Sequence, residues 1–278
     1  DLLKTFVKKF KGSDLDKKGV KVSMFESGSM EGDDSSCAAY MDCILGRGPK
    51  YVFKNAKLRK YFKEVSMHSY WSGADTKKNA ENYFSDKYSK YSVAATEYCQ
   101  MTDDKNTGVY DLIAKEKNGT NGTSIKYGVA MANTIVDDLT IMNANEWDWW
   151  TACSYGTYTD GLIYLDEDNH ENLDFSKRYY CLGNFSKFIK EGAVRVACSS
   201  GVKNVRSVAF VNEDNTVVTV YVNNNDKKAY TTIDCEGDYA VYTTDRDNDI
   251  AKTDFGKAKK VKVSLPASSV VTVVYEAK

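Results

Sequence analysis

A change of texture near Glu191-Gly192 constrains the fold more than any other feature of this chain. Before it, helix-spaced and strand-like segments alternate. Leu2, Leu3, Phe6, Val7 and Phe10 repeat at helical spacing up to Gly12, and Val20–Glu26 then reads as a strand. Helices are expected around Cys37–Leu45, Asn55–Phe62, Asp75–Tyr88 (capped by Asp75 or Thr76), Val109–Lys117, Ile125–Ile141 and Ser176–Phe188. Further strands are expected at Val65–Trp71, Tyr91–Tyr98 and Ala144–Trp150. Regular alternation of this kind implies parallel strands joined by crossover helices. After Gly192, seven short runs lie between turn clusters such as Asn223-Asn224-Asn225-Asp226: 194–196, 205–211, 217–222, 230–233, 239–243, 261–265 and 270–275. That pattern predicts an all-β sandwich.

Composition removes several functions. The 38 basic and 39 acidic side chains nearly cancel, which argues against a nucleic-acid partner. No stretch approaches the roughly 20 apolar residues of a membrane helix. The opening Asp1-Leu2-Leu3-Lys4 has no charged-then-apolar leader and reads as a processed product or a fragment. His68 and His170 are the only histidines, too few for a multi-histidine metal centre, so acid–base chemistry falls to carboxylates or tyrosines. The seven cysteines form no Cys-x-x-Cys pair; no metal and no cofactor is expected, and most of them read as small buried side chains. Aromatic residues make up 13% of the chain, a density that suits sugar binding and plain sheet packing alike.

In parallel α/β units, functional side chains gather at the carboxyl ends of the strands. Those ends read Glu26; His68 with Tyr70 and Trp71; Glu97 with Tyr98; and Trp147 with Trp149. The order of motifs resembles glycoside hydrolase family 30, in a clan of retaining β-glycosidases. Thr96-Glu97-Tyr98-Cys99-Gln100-Met101 is similar to the family's seventh barrel strand. Ser176–Ile189 resembles its eighth helix, with Gly192 and Arg195-Val196 matching the residues just after that helix. Leu265–Thr272 resembles the closing strands of its side β-domain, and His68-Ser69-Tyr70 the clan's sixth-strand pattern.

The resemblance implies the carboxyl-terminal half of a TIM (β/α)8 barrel, strands five to eight, over residues 1–190. A β-sandwich side domain occupies 191–278. It implies that Glu97 is the catalytic nucleophile, with Tyr70 hydrogen-bonded to it. The family's Asn-Glu-Pro motif, which carries the general acid/base, does not occur; Asn145-Glu146 continues into Trp147. The acid is therefore expected from a complementing N-terminal segment that supplies strands one to four; Glu26 and Glu146 are conceivable substitutes, but both are expected on the wrong side of the ring.

Each candidate has an ordinary alternative. Glu97 alone reads as a salt-bridged carboxylate, His68 as a satisfied core histidine, and Tyr70 and Trp71 as packing residues. Trp147 and Trp149 alternate with Asp148 and Trp150, and period two leaves open which pair faces the barrel interior; Trp147 and Trp149 are taken as the sugar platform. Glu26 reads as a structural ion pair. Asp166-Glu167-Asp168 beside His170 lacks metal-ligand spacing and reads as a solvated loop. Asn118-Gly119-Thr120 and Asn121-Gly122-Thr123 read as turns, and Asn184-Phe185-Ser186 as buried in a helix.

No arginine occurs after Trp150 in Thr151–Gly156, which disfavours a uronate substrate and favours a neutral β-linked glycan. Two rivals stand beside the enzyme: a non-catalytic carbohydrate-binding fragment, and a sandwich domain for protein interaction. A polymer-degrading enzyme belongs outside the cell, although an odd thiol count sits awkwardly with an oxidising compartment.

Overall fold

The computed structural model describes residues 2–20, 22–30, 61–101, 105, 123–155, 158–166, 168–169 and 171–276. The helices expected at Cys37–Leu45 and Val109–Lys117, the first two asparagine turns, Glu167 and His170 lie outside these residues, as does all of the Asn55–Phe62 helix except its last two positions. The described chain divides into two compact units, Asp1–Tyr98 with Asp137–Trp149, and Cys99–Val136 with Trp150–Lys278.

The first unit opens with helices α1 (Leu2–Phe10) and α2 (Asp14–Lys17). Strands β1 (Val22–Ser29) and β2 (Phe62–Tyr70), helix α3 (Ala74–Tyr88) and strand β3 (Ser92–Glu97) come next. The end of helix α4 (Ile125–Thr140) and strand β4 (Glu146–Trp147) complete its elements. The four strands form one parallel sheet in chain order. Val7 and Phe10 of α1 and Ala80 and Phe84 of α3 pack with Val65 and Met67 of β2 into one core.

Three sequence expectations need correction here. Phe62 opens β2 rather than closing a helix. The N-cap of α3 is Gly73, with no side-chain cap from Asp75 or Thr76. The fourth strand is two residues long instead of seven, flanked by the bonds Asn145 N to Val93 O (2.9 Å) and Asp148 N to Ala95 O (2.8 Å). Its neighbours Ala144 and Trp150 keep strand-like chemistry without ladder partners on both sides, which composition alone does not reveal.

In the second unit, β5 (Cys153–Tyr155), β6 (Ile163–Leu165) and β7 (Leu173–Phe175) make a small sheet that sequence reading missed. Three-residue strands are too short to show a period. Helix α5 (Lys177–Ser186) lies over a buried network. The fully buried Arg178 donates to Gly161 O (2.9 Å) and to Gln100 Oε1 (3.0 Å), and Gln100 Nε2 donates to Tyr127 O (2.7 Å). Burial lowers the Arg178 pKa from its ordinary value.

The remaining strands are β8 (Val194–Val196), β9 (Val205–Val211), β10 (Thr216–Asn223), β11 (Ala229–Thr244), β12 (Ala251–Leu265) and β13 (Ser269–Glu276), in the order β12-β11-β13-β10-β9-β8. Two expected runs fuse into the 16-residue β11, and β12 begins well before its expected start at Val261. A register shift between Asp234 and Gly237 bends this ribbon. Ile233, Cys235, Val261, Val263 and Leu265 thereby share a core with Tyr221, Val271 and Val273. Asn184 of α5, fully buried, donates to Thr272 Oγ1 (2.9 Å) and accepts from Thr244 Oγ1 (2.5 Å), which fixes the helix to β11 and β13.

Candidate active site

Lateral partners in a parallel sheet share a face, so the registers sort the first unit's side chains. One row runs Glu26, Ser66, Ala94, Glu146; the next runs Ser27, Met67, Ala95, Trp147. Met67 belongs to the core beneath the helices, so the second row faces the helices and the first faces the opposite, inner side. Strict alternation from Ala95 would place Glu97 on the helix side. A register shift intervenes: Met67 pairs with Ala95, but His68 pairs with Glu97. Thr96 is the extra residue, and this bulge turns Glu97 to the inner face beside His68. Re-aiming a side chain is a common use of a bulge near a functional site.

Four side chains meet there. The Tyr70 hydroxyl donates to Glu97 Oε1 at 2.9 Å. His68 Nε2 lies 2.9 Å from Glu26 Oε2, and its Nδ1 lies 3.8 Å from Glu97 Oε1. Glu97 is 28% exposed and Glu26 50%, so both carboxylates are reachable from solvent. Ser72 ties the ends of the strands together: its Oγ accepts from Met30 N and donates to Tyr70 O, both at 2.9 Å. Trp71 has φ +52°, a left-handed conformation that costs energy for a bulky residue and concentrates at functional sites. Its ring lies 5.7 Å from that of Tyr70. Glu26, His68 and Glu97 also bring potential ligand atoms within 4.8 Å of one another, the grouping of metal-ligating type among the described residues. Both His68 nitrogens already face carboxylates, and the set is accounted for by these polar contacts.

The inner face is acidic. Asp148 lies just beyond Glu146 and Trp147 of the fourth strand, and its pKa is raised from 3.8 to about 6, chiefly by burial and then by Glu146, Glu26 and Glu64.

The reading of Trp147 as part of a platform on the inner face is corrected. Trp147 shares the helix-side row with Met67, and its indole Nε1 donates to Asp138 Oδ2 at 2.9 Å. Asp138, fully buried in α4, also accepts from Ser69 Oγ at 2.6 Å and pairs with Lys77 Nζ of α3 at 2.7 Å. Trp147 is thus anchored to the helical layer. Trp149 lies beyond the strand, 5.9 Å from the Tyr98 ring and 6.3 Å from Trp147, at the end of an aromatic series that begins at Tyr70. Period two leaves the facing of this strand undecided, and only its register with Ala94 and Ala95 settles it. Sequence reasoning also missed Asp138 and Asp148. The signal for the first was present, since Asp137-Asp138 interrupts an apolar helical stretch.

The family model described as O-glycosyl hydrolase family 30 matches residues 20–164, and that of the glycosyl hydrolase family 30 beta sandwich domain matches residues 192–273. Among solved structures, a conserved exported protein from Bacteroides fragilis is similar at TM-score 0.77 and 23% identity, covering 99% of this chain and 59% of that one. A family 30 endoxylanase from Clostridium papyrosolvens matches at TM-score 0.65 and 19% identity, with 99% and 61% covered. A family 30 subfamily 8 xylanase from Clostridium acetobutylicum matches at 0.64 and 20%, again with 99% and 61% covered. The chain therefore spans about three fifths of the length of these structures. Its parallel sheet and antiparallel sandwich fit a partial barrel with its side domain, and by both matched segments the chain belongs to glycoside hydrolase family 30.

Proposed function

We propose that this chain carries the nucleophile half of a retaining β-glycosidase, with Glu97 as the attacking carboxylate. One observation carries the reading: the bulge at Thr96 brings Glu97 to the inner face, where the Tyr70 hydroxyl donates to it at 2.9 Å. That bond leaves the second carboxylate oxygen for attack. Glu97 Oε attacks the anomeric carbon, the glycosidic C–O bond breaks, and the leaving oxygen takes a proton from a second carboxyl group. Water then attacks the glycosyl ester, giving its proton to that same group and releasing Glu97. Retaining geometry sets the two carboxyl groups about 5–5.5 Å apart. The Asn-Glu-Pro motif that bears the acid in this family does not occur here, so the acid is assigned to a complementing segment that supplies the other barrel strands.

His68 holds Glu26 and faces Glu97, which positions both carboxylates. Trp71 and Trp149, at the strand ends, are assigned to sugar stacking, and Trp147 to the support beneath them. The substrate is a neutral β-linked glycan, in keeping with the absence of arginine from Thr151–Gly156. Two matched structures are described as xylanases. Such a polymer is met outside the cell, and one matched protein is described as exported.

Chemical rescue tests the assignment. A 2,4-dinitrophenyl β-glycoside has a leaving group that departs without protonation, so the missing acid does not limit the reaction. Glu97→Ala should be inactive on it alone, and added azide should yield the α-glycosyl azide through single inversion. Formation of the β-azide, or activity of Glu97→Ala without azide, would refute the role of Glu97. The non-catalytic alternative, favoured by the missing Asn-Glu-Pro, predicts sugar binding with no azide product.

A further inference from the structure

The small sheet of the second unit is built with its apolar side outward. Its registers align Cys153, Ile163 and Phe175 in one row and Tyr155, Leu165 and Leu173 in a row on the same face. Tyr155 is 43% exposed, Leu173 50% and Phe175 39%. The intervening row, Ser154, Tyr164 and Asp174, turns to the other side. There Tyr164 is buried and accepts from Arg178 Nη2 at 2.5 Å, and Ser154 Oγ donates to Asp160 Oδ1 at 2.6 Å. Amphipathic sheets ordinarily do the reverse. The outward face continues onto α5, where the Tyr179 ring stands edge-to-face with Phe175 at 5.0 Å and with Tyr180 at 5.2 Å. Exposed aromatic groupings of this kind mark binding surfaces.

Charge narrows the occupant. Residues 153–176 contain no lysine or arginine and six carboxylates, at Asp160, Asp166, Glu167, Asp168, Glu171 and Asp174. None of the six side chains of the outward face is charged. An anionic glycan or polyphosphate would find no cation on this face, whereas a neutral sugar stacks its C–H face on rings. Phe175 and Tyr179, inclined at 68°, form a corner with two walls, which suits a pyranose edge better than a flat lipid surface. The Tyr180 phenol, its pKa raised by burial and by Asp249, Tyr179 and Asp174, stays protonated and can donate to a ring or hydroxyl oxygen.

We infer that the outward face of β5–β7, centred on Phe175 and Tyr179, is a second binding site for a neutral β-linked glycan chain. Its occupant rests on the glycosidase reading above; the face itself does not. A site of this kind holds the polymer without acting on it.

Affinity electrophoresis of the Glu97→Gln chain tests this, with gels containing soluble β-glucan, arabinoxylan or polygalacturonate. Retardation by a neutral glycan is expected, reduced at least ~5-fold by Phe175→Ala and by Tyr179→Ala and retained in Phe175→Tyr and Tyr179→Phe. Tyr179→Ala, on the helix surface, covers the case in which Phe175→Ala fails to fold. No retardation, retardation equal in the alanine variants, or preference for polygalacturonate would overturn the site. So would sedimentation showing that Phe175→Asp dissociates a dimer, since the face would then join two copies. Azide rescue at Glu97 in the Phe175→Ala background separates the two readings: rescue with lost retardation upholds both, whereas retardation without rescue removes only the catalytic one.

Discussion

Tyr70 and Glu97 form a contact of one hydroxyl and one carboxylate, and its energy is of the charge-assisted kind, about 1.5–3 kcal/mol. If the bond aims the nucleophile, Tyr70→Phe should slow attack on an activated β-glycoside by roughly 10- to 100-fold. Stopped-flow release of dinitrophenolate reads this directly. Asp148 gives a pH prediction. Its folded pKa, raised from 3.8 to about 6, means that the native state binds its proton more tightly than the unfolded chain. Stability attributable to this group is therefore greatest below about pH 4 and falls as pH rises toward about 6. Asp148→Asn should be the more stable protein near neutral pH, by about 1 kcal/mol once solvent screening is allowed for, and indistinguishable from the parent at about pH 3.5. Urea midpoints at the two pH values check it. Glu97 was legible as a strand-end carboxylate within a motif, and Tyr70 with it. The acidic row was not, because Glu64, Glu146 and Asp148 converge only through strand pairing.

At the scale of elements, the bulge at Thr96 and the buried pair between α3 and α4 set the site. Lys77 and Asp138 are almost wholly buried, and Asp138 also holds Ser69 and Trp147. Removing one partner strands a charge, so Asp138→Ala should cost about 3–5 kcal/mol, whereas the double change Lys77→Met with Asp138→Leu should recover only the part due to the stranded charge, because Ser69 and Trp147 still lose their acceptor. Chemical denaturation of the two variants and the parent measures the difference. Helices α4 and α5 meet at Gly128, where an added Cβ would lie 2.6 Å from Cys181 Sγ and 3.0 Å from the Lys177 carbonyl. Gly128→Ala should cost about 1–3 kcal/mol and lower Tm, with partial recovery in a Cys181→Ala background. The sandwich strands were readable because alternating or continuous apolar runs persist through β9, β10 and β13. The two-residue β4 and the three-residue β5–β7 carry no period, and the early half of β12 is lysine-rich and exposed, so composition hid it.

For the molecule as a whole, the alternation before Glu191 and the strand runs after it forecast a parallel sheet with crossover helices and an antiparallel sandwich, and both are present. A four-stranded parallel sheet with a polar inner face is half of the eight-stranded ring its family closes. Among the described residues no further strand pairs with the outer edge of β1 or β4. The matched structures are longer by the complementary two fifths.

Covalent trapping tests the central claim most directly. The chain should be incubated with a 2,4-dinitrophenyl 2-deoxy-2-fluoro-β-glycoside, whose fluorine slows hydrolysis of the glycosyl ester and whose leaving group needs no acid. Peptide mass spectrometry should then find one fluoroglycosyl adduct, on the peptide containing Thr96-Glu97-Tyr98 and on the Glu97 side chain. A label on Glu26, Glu146 or any other residue, or an adduct that persists in Glu97→Gln, would contradict the account.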